Sequence, residues 1–107
     1  MDDICMEEIK DMSDSVRNPN YKYREIEVRE PLAYFAYMME KVLSANDHKG
    51  GWESLGIPYL LARLDQERDK LLIALHDEET AENIRHECCD IANLAMMIFD
   101  NFRSDKI

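Results

Sequence analysis

From Ile91 to Phe99 the chain is apolar at every position except Asn93, and this run sits inside a longer segment of helical character. A helix that is apolar on nearly every side belongs at the centre of a bundle or in a subunit interface. The run falls well short of the roughly 18 consecutive apolar residues that a membrane span needs. The rest of the chain must therefore supply helices that cover it.

With 107 residues the chain is long enough for one domain, and its 46% hydrophobic content provides for one core. A domain of this size buries a limited share of its surface, so self-association is a natural supplement. Thirteen Lys and Arg stand against 23 Asp and Glu, a net charge of -10. That balance excludes a nucleic-acid binder that works through clustered basic residues, and no nucleic-acid or membrane partner is expected. An acidic protein can still take a nucleotide when divalent ions stand between its carboxylates and the phosphates.

The start, Met1-Asp2-Asp3-Ile4, is acidic where a secretory signal would be basic, which predicts a soluble, cytoplasmic protein. Cys5, Cys88 and Cys89 are odd in number and lack a disulfide spacing, so they are expected to be reduced. A zinc site from His86, Cys88 and Cys89 is disfavoured, because consecutive helical residues point about 100° apart.

Residues 1–30 read as an N-terminal arm or short helix, and 31–107 as the helical domain. Ile4, Ile9 and Met12 hint at an amphipathic turn or two, and Ser13 to Asn20 reads as a loop. Tyr21, Tyr23, Ile26 and Val28 alternate with charged residues, which suits an extended, half-exposed segment. From Glu30 the periodicity is helical. Pro31 suits a first turn, and Leu32, Phe35, Ala36, Met39, Val42 and Leu43 recur at helical steps up to Asn46. A loop of about a dozen residues follows, carrying His48, Lys49, two glycines and Trp52, the sole tryptophan. A second helix is predicted from about Pro58 to Leu75, with Ile57, Leu60, Leu64, Leu71 and Ala74 on its apolar stripe and Leu61, Leu72 and Leu75 broadening it. Asp77-Glu78-Glu79-Thr80 turns the chain into a third helix from about Ala81 to Phe102, with Thr80 as its cap. The fold class is all-α.

Three carboxylates fall where a bundle prefers apolar side chains. Glu67 lies on the stripe of the second helix, while Glu87 and Asp90, three apart, border the buried side of the third. Converging buried carboxylates are costly unless cations offset them, and Mg²⁺ or Mn²⁺ takes oxygen ligands of this kind. The alternative is ion pairing: Glu67 with Arg63 or Lys70, and Glu87 with Arg85 or a neighbouring lysine across the bundle. Spacing alone leaves both open. Met38, Met39, Met96 and Met97 are expected to fill the core or an interface, and His76 and His86 to lie on the surface.

The strings Asn46-Asp47-His48-Lys49-Gly50-Gly51-Trp52, Leu61-Ala62-Arg63-Leu64-Asp65-Gln66-Glu67 and Glu87-Cys88-Cys89-Asp90-Ile91-Ala92-Asn93, with Ala95 to Ile98, resemble the MazG-like members of the all-alpha nucleoside triphosphate pyrophosphatase superfamily over residues 32–102. That superfamily carries Glu-x-x-Glu on one helix and Glu-x-x-Asp on a later one. Here Glu87 and Asp90 complete the second motif, whereas Glu67 is followed three residues on by Lys70 in place of a glutamate.

The resemblance implies a helical bundle completed as a homodimer or homotetramer, and cleavage of nucleoside triphosphates to monophosphate and pyrophosphate with Mg²⁺ or Mn²⁺. It implies Glu67, Glu87 and Asp90 as metal ligands, with Glu67 or Glu87 orienting the attacking water. Lys49 and Lys70 become phosphate contacts, Trp52 a wall or stacking surface for the base, and Asn93 a hydrogen-bond partner of sugar or base. His48 is a further candidate. Plainer roles are open as well: Trp52 packing the loop on the bundle, and Lys49 with the two glycines after it as a solvated turn. Lys70 opens an alternative, a catalytically weakened protein that binds nucleotides or regulates.

Overall fold

A computed structural model of the chain describes residues 26–47 and 50–103, together with the backbone of 4–5. Three helices make up nearly all of it: α1 (Glu30–Ala45), α2 (Ile57–His76) and α3 (Ala81–Asn101), preceded by a two-residue antiparallel pairing of β1 (Ile4–Cys5) with β2 (Glu27–Val28). The all-α class and the three helix positions agree with the sequence reading. Ile4 does not: it pairs with Val28 instead of opening a helical turn. Val28 is buried and Glu27 exposed, as alternation predicts, whereas Ile26, which alternation places on the same face as Val28, is exposed. Ile9, Met12, Tyr21 and Tyr23 lie outside the described residues.

α3 is the hub. It packs along α2 on one side and against α1 on another, while α1 and α2 touch each other little. The four-residue connection between α2 and α3 forces them antiparallel, and its ends are built carefully. Glu79 N–H donates to Ala74 O at 3.0 Å and Glu78 N–H to Leu75 O at 3.3 Å, with Glu78 at φ 52°, which together form a Schellman motif. Thr80 then caps α3, its Oγ1 accepting from Asn83 N at 3.2 Å.

Burial is narrower than the apolar stripes suggest. Leu60, Glu67 and Ala74 of α2 and Cys89, Asn93, Leu94 and Asp100 of α3 are buried, and in α1 only Ala33 is. Leu32 and Phe35, which recur at helical spacing in α1, are exposed, Leu32 by 60%. α1 meets the bundle along one seam, where a small residue permits close approach. Leu61, Leu72 and Leu75 also face outward, as do Ile73, Phe99 and Phe102. Among the described residues no helix is long and apolar enough to cross a membrane.

Candidate metal centre

One face of α2 carries Tyr59, Arg63, Glu67 and Lys70 at steps of four, four and three. The facing stretch of α3 carries His86, Asp90, Asn93 and Met97 in the same manner. With Val42, Leu43 and Asn46 at the end of α1 and Gly50 to Trp52 of the loop, they enclose a cavity of about 500 Å³. Helical spacing thus delivers each side chain to one place, and the loop closes it. Gly50 turns this loop at φ 88°, a conformation suited to glycine, with its N–H donating to Asp47 O at 3.1 Å.

At one end of the cavity Glu67, Glu87 and Asp90 bring a carboxylate oxygen each within 4.8 Å of one another, a separation that one cation can bridge. Glu67 is only 2% exposed. Its Oε1 accepts from Arg63 Nη2 at 3.3 Å and from Lys70 Nζ at 3.2 Å. Both pairings anticipated from spacing are therefore present, on the same oxygen. They leave Glu67 Oε2 buried without a donor, and Glu87 Oε2 is in the same condition. Among the described residues no ion pair involves Glu87, so neither Arg85 nor another cation satisfies it. Asp90 lies 3.4 Å from His86 Nε2. Asp69, which points off the cluster, pairs with Arg68 at 3.7 Å.

The electrostatics follow from this crowding. Burial raises the Glu87 carboxyl above its ordinary 4.5, helped by a hydrogen bond to Glu67 and by the charges of Glu67 and Asp90, with Lys70 opposing. Burial likewise raises Asp90 above 3.8, with His86 pulling the other way and Glu67 adding to the rise. Carboxylates crowded in this way are short of positive charge. A cation would supply it.

Of the residues singled out in the sequence, Glu67, Asp90, Trp52, Lys70 and Asn93 line the cavity, and Glu87 stands beside it in the acid cluster. His48 and Lys49 lie outside the described residues. Trp52 donates its indole N–H to Asp100 Oδ2 at 3.0 Å, fastening the loop to α3 across 48 residues of sequence. Its packing role is thus present, and its edge is committed. Asn93 donates from Nδ2 to Met39 O at 3.2 Å, tying α3 to α1, while its Oδ1 is buried without a donor. His86 is exposed as expected, yet it reaches the site through Asp90. Cys88 and Cys89 are free thiols, and burial raises that of Cys89.

Three participants escaped the sequence reading. Arg63 was assigned only to ion pairing, although it walls the cavity. Tyr59 precedes it by one turn, and Asp100 follows Asn93 by two turns on the same face. The step series 59, 63, 67, 70 and 93, 97, 100 carried that signal. No family model matches this chain, and no curated protein or solved structure matches it significantly.

Proposed function

We propose that the protein is a metal-dependent nucleoside triphosphate pyrophosphohydrolase of the MazG-like, all-alpha type, converting NTP or dNTP to the monophosphate and pyrophosphate. The observation that carries this reading is the pair of buried, donor-free oxygens, Glu67 Oε2 and Glu87 Oε2, in a three-carboxylate cluster at the end of a nucleotide-sized cavity. Buried polar atoms normally have partners, and orphaned oxygens on two carboxylates of one cluster suit a cation as their partner.

The residues fit Mg²⁺ or Mn²⁺, since all three donors are hard carboxylate oxygens. Glu67, Glu87 and Asp90 would hold the ion, which when bound supplies an activated water and offsets phosphate charge. The remaining roles belong to the protein. Lys70 and Lys49 meet phosphate oxygens. The Trp52 ring, its N–H held by Asp100, offers a face and not an edge, so it stacks on a base without reading it. Asn93, whose amide nitrogen is held by Met39 O, fixes the wall beside the sugar or base. The protein acts in the cytoplasm as a homodimer or homotetramer, and the exposed apolar side chains of α2 and the end of α3 support that association.

Pyrophosphate release from a panel of ribo- and deoxyribonucleoside triphosphates with Mg²⁺ or Mn²⁺ tests the reading, with Glu87→Gln as the blank. Release that the blank abolishes is expected; none above the blank would overturn it. A second reading, a nucleotide-binding or regulatory protein without turnover, is favoured by the two cations that already engage Glu67 Oε1. Magnesium-dependent thermal stabilisation by a nucleotide without pyrophosphate release would select it.

A further inference from the structure

The two oxygens of Glu67 meet different surroundings. Oε1 is met by Arg63 from the preceding turn and Lys70 from the following one, whereas Oε2 has no donor. Arg63 Nη1 also donates to Gln66 Oε1 at 3.0 Å; both basic side chains wall the cavity and are about half exposed, so the N–H groups these bonds leave over are open to a ligand there. Two cations on one carboxylate carry one positive charge in excess of what pairing requires.

Resting on the metal-dependent reading of the cluster, we propose that Arg63 and Lys70 do the work of a second metal ion. The cluster binds a single divalent cation on the side of Glu67 Oε2, Glu87 and Asp90, and the two basic side chains take phosphate oxygens of the ligand from the cavity. Charge supports a single ion. Three carboxylates against two fixed monocations leave one net negative charge. One divalent ion inverts it to one net positive charge, a receptor for an oxyanion. A second ion would have to approach Glu67 Oε1, where Lys70 Nζ already stands at 3.2 Å, and would be repelled by both cations. Arg63 brings the N–H groups that Gln66 and Glu67 leave unused, and Lys70 a point charge. The ligand class is a phosphate chain carrying one metal ion.

The test is titration of the full chain with Mn²⁺ alone, followed by calorimetry and electron paramagnetic resonance. Wild type is expected to bind one Mn²⁺ per chain with the spectrum of an isolated ion, and Lys70→Glu two per chain with an exchange-coupled spectrum. Lys70→Met and Arg63→Met each keep one ion and bind it about tenfold tighter, because a competing charge on Glu67 is gone. Each also loses about tenfold in affinity for inorganic pyrophosphate added to the Mn²⁺-loaded protein. Should Lys70→Glu fail to give a helical circular dichroism spectrum, the two methionine variants decide. Two Mn²⁺ per wild-type chain, no bound Mn²⁺, or methionine variants that leave both affinities unchanged would overturn the proposal. A single ion without turnover of any triphosphate upholds it and removes the hydrolase reading; two ions with turnover do the reverse.

Discussion

The two seams along α3 differ in how much buried polarity they leave without a partner, and in its charge. Against α1 the buried polar side chain is Asn93, whose Nδ2 donates to Met39 O while its neutral Oδ1 has no donor. Against α2 lie three carboxylates with two orphaned oxygens, even though Arg63 and Lys70 are at hand. The first seam is tied by one neutral hydrogen bond, which favours one helix arrangement. The second is left unsatisfied, and a seam of that kind costs stability until something from outside completes it. The contrast sets a neutral amide tied across the bundle against a cluster of charged groups short of partners, on the same helix and within two turns.

Charge removal at the second seam should have the largest effect. Glu87→Gln keeps the shape but withdraws a proposed metal ligand, worth about 4 kcal/mol of charge stabilisation, so under the proposed function pyrophosphate release should fall on the order of 10³-fold. The same variant, free of metal, should melt no lower than wild type, because it removes repulsion with Glu67 and Asp90. A large fall in melting temperature would mean that Glu87 is structural, and the contrast between seams would collapse.

Breaking the first seam should do the converse. Asn93→Ala leaves Met39 O without its side-chain donor and should lower the unfolding free energy by about 1–3 kcal/mol in urea denaturation. Affinity for Mn²⁺ should stay within about twofold of wild type, since the acid cluster is untouched. Equal loss of stability and metal binding would show that the seams are one unit.

Proton competition offers a milder and reversible probe. Glu87 and Asp90 are both raised above their ordinary values of 4.5 and 3.8. The folded protein therefore holds more protons than the unfolded chain between those values and the raised ones. In that interval the slope of unfolding free energy with pH is negative. Their contribution is fully present below the unfolded values and is lost as pH rises through the folded ones. Metal-free protein should thus lose thermal stability on going from mildly acidic to neutral pH, and saturating Mg²⁺ should reverse that loss most strongly at neutral pH. Glu87→Gln should flatten the profile. A metal-free profile that rises over this interval in wild type but not in the variant would contradict the crowding at this seam.

Much of this contrast was legible in the sequence, for identifiable reasons. Three helices follow from a 3.6-residue period bounded by Pro31, the glycine-rich loop, Pro58 and Thr80, all local signals. Glu67 stood out because it interrupts an apolar stripe, and Glu87 with Asp90 because they border one. What the sequence could not apportion was which apolar residues are covered. Leu32 and Phe35 lie on α1's periodic stripe, yet α1 is packed only through α3, and Ala33 takes the close contact. Ile4 failed for another reason: its partner Val28 is far along the chain, and no local period announces a pairing. The Trp52 to Asp100 hydrogen bond is also nonlocal, so the loop's tryptophan was visible but its anchor was not.

The smallest effect concerns the turn that sets how α2 and α3 face one another. Glu78 sits in the left-handed region at φ 52°, where a side chain is disfavoured, and no glycine is supplied there. It holds that conformation because Glu79 N–H and Glu78 N–H close the end of α2 on Ala74 O and Leu75 O. Glu78→Gly should relieve that strain and stabilise the protein by about 0.5–1 kcal/mol, less whatever the freer unfolded chain takes back. Thr80→Ala, two residues later, should cost about 1 kcal/mol through the lost cap on α3. Neither should alter Mn²⁺ stoichiometry, because the carboxylates sit at least one helical turn from the corner. If Glu78→Gly instead weakens metal binding, the pitch of the α2–α3 hairpin is itself strained to bring Glu67 against Glu87, and the acid seam draws on the turn as well as on its own residues.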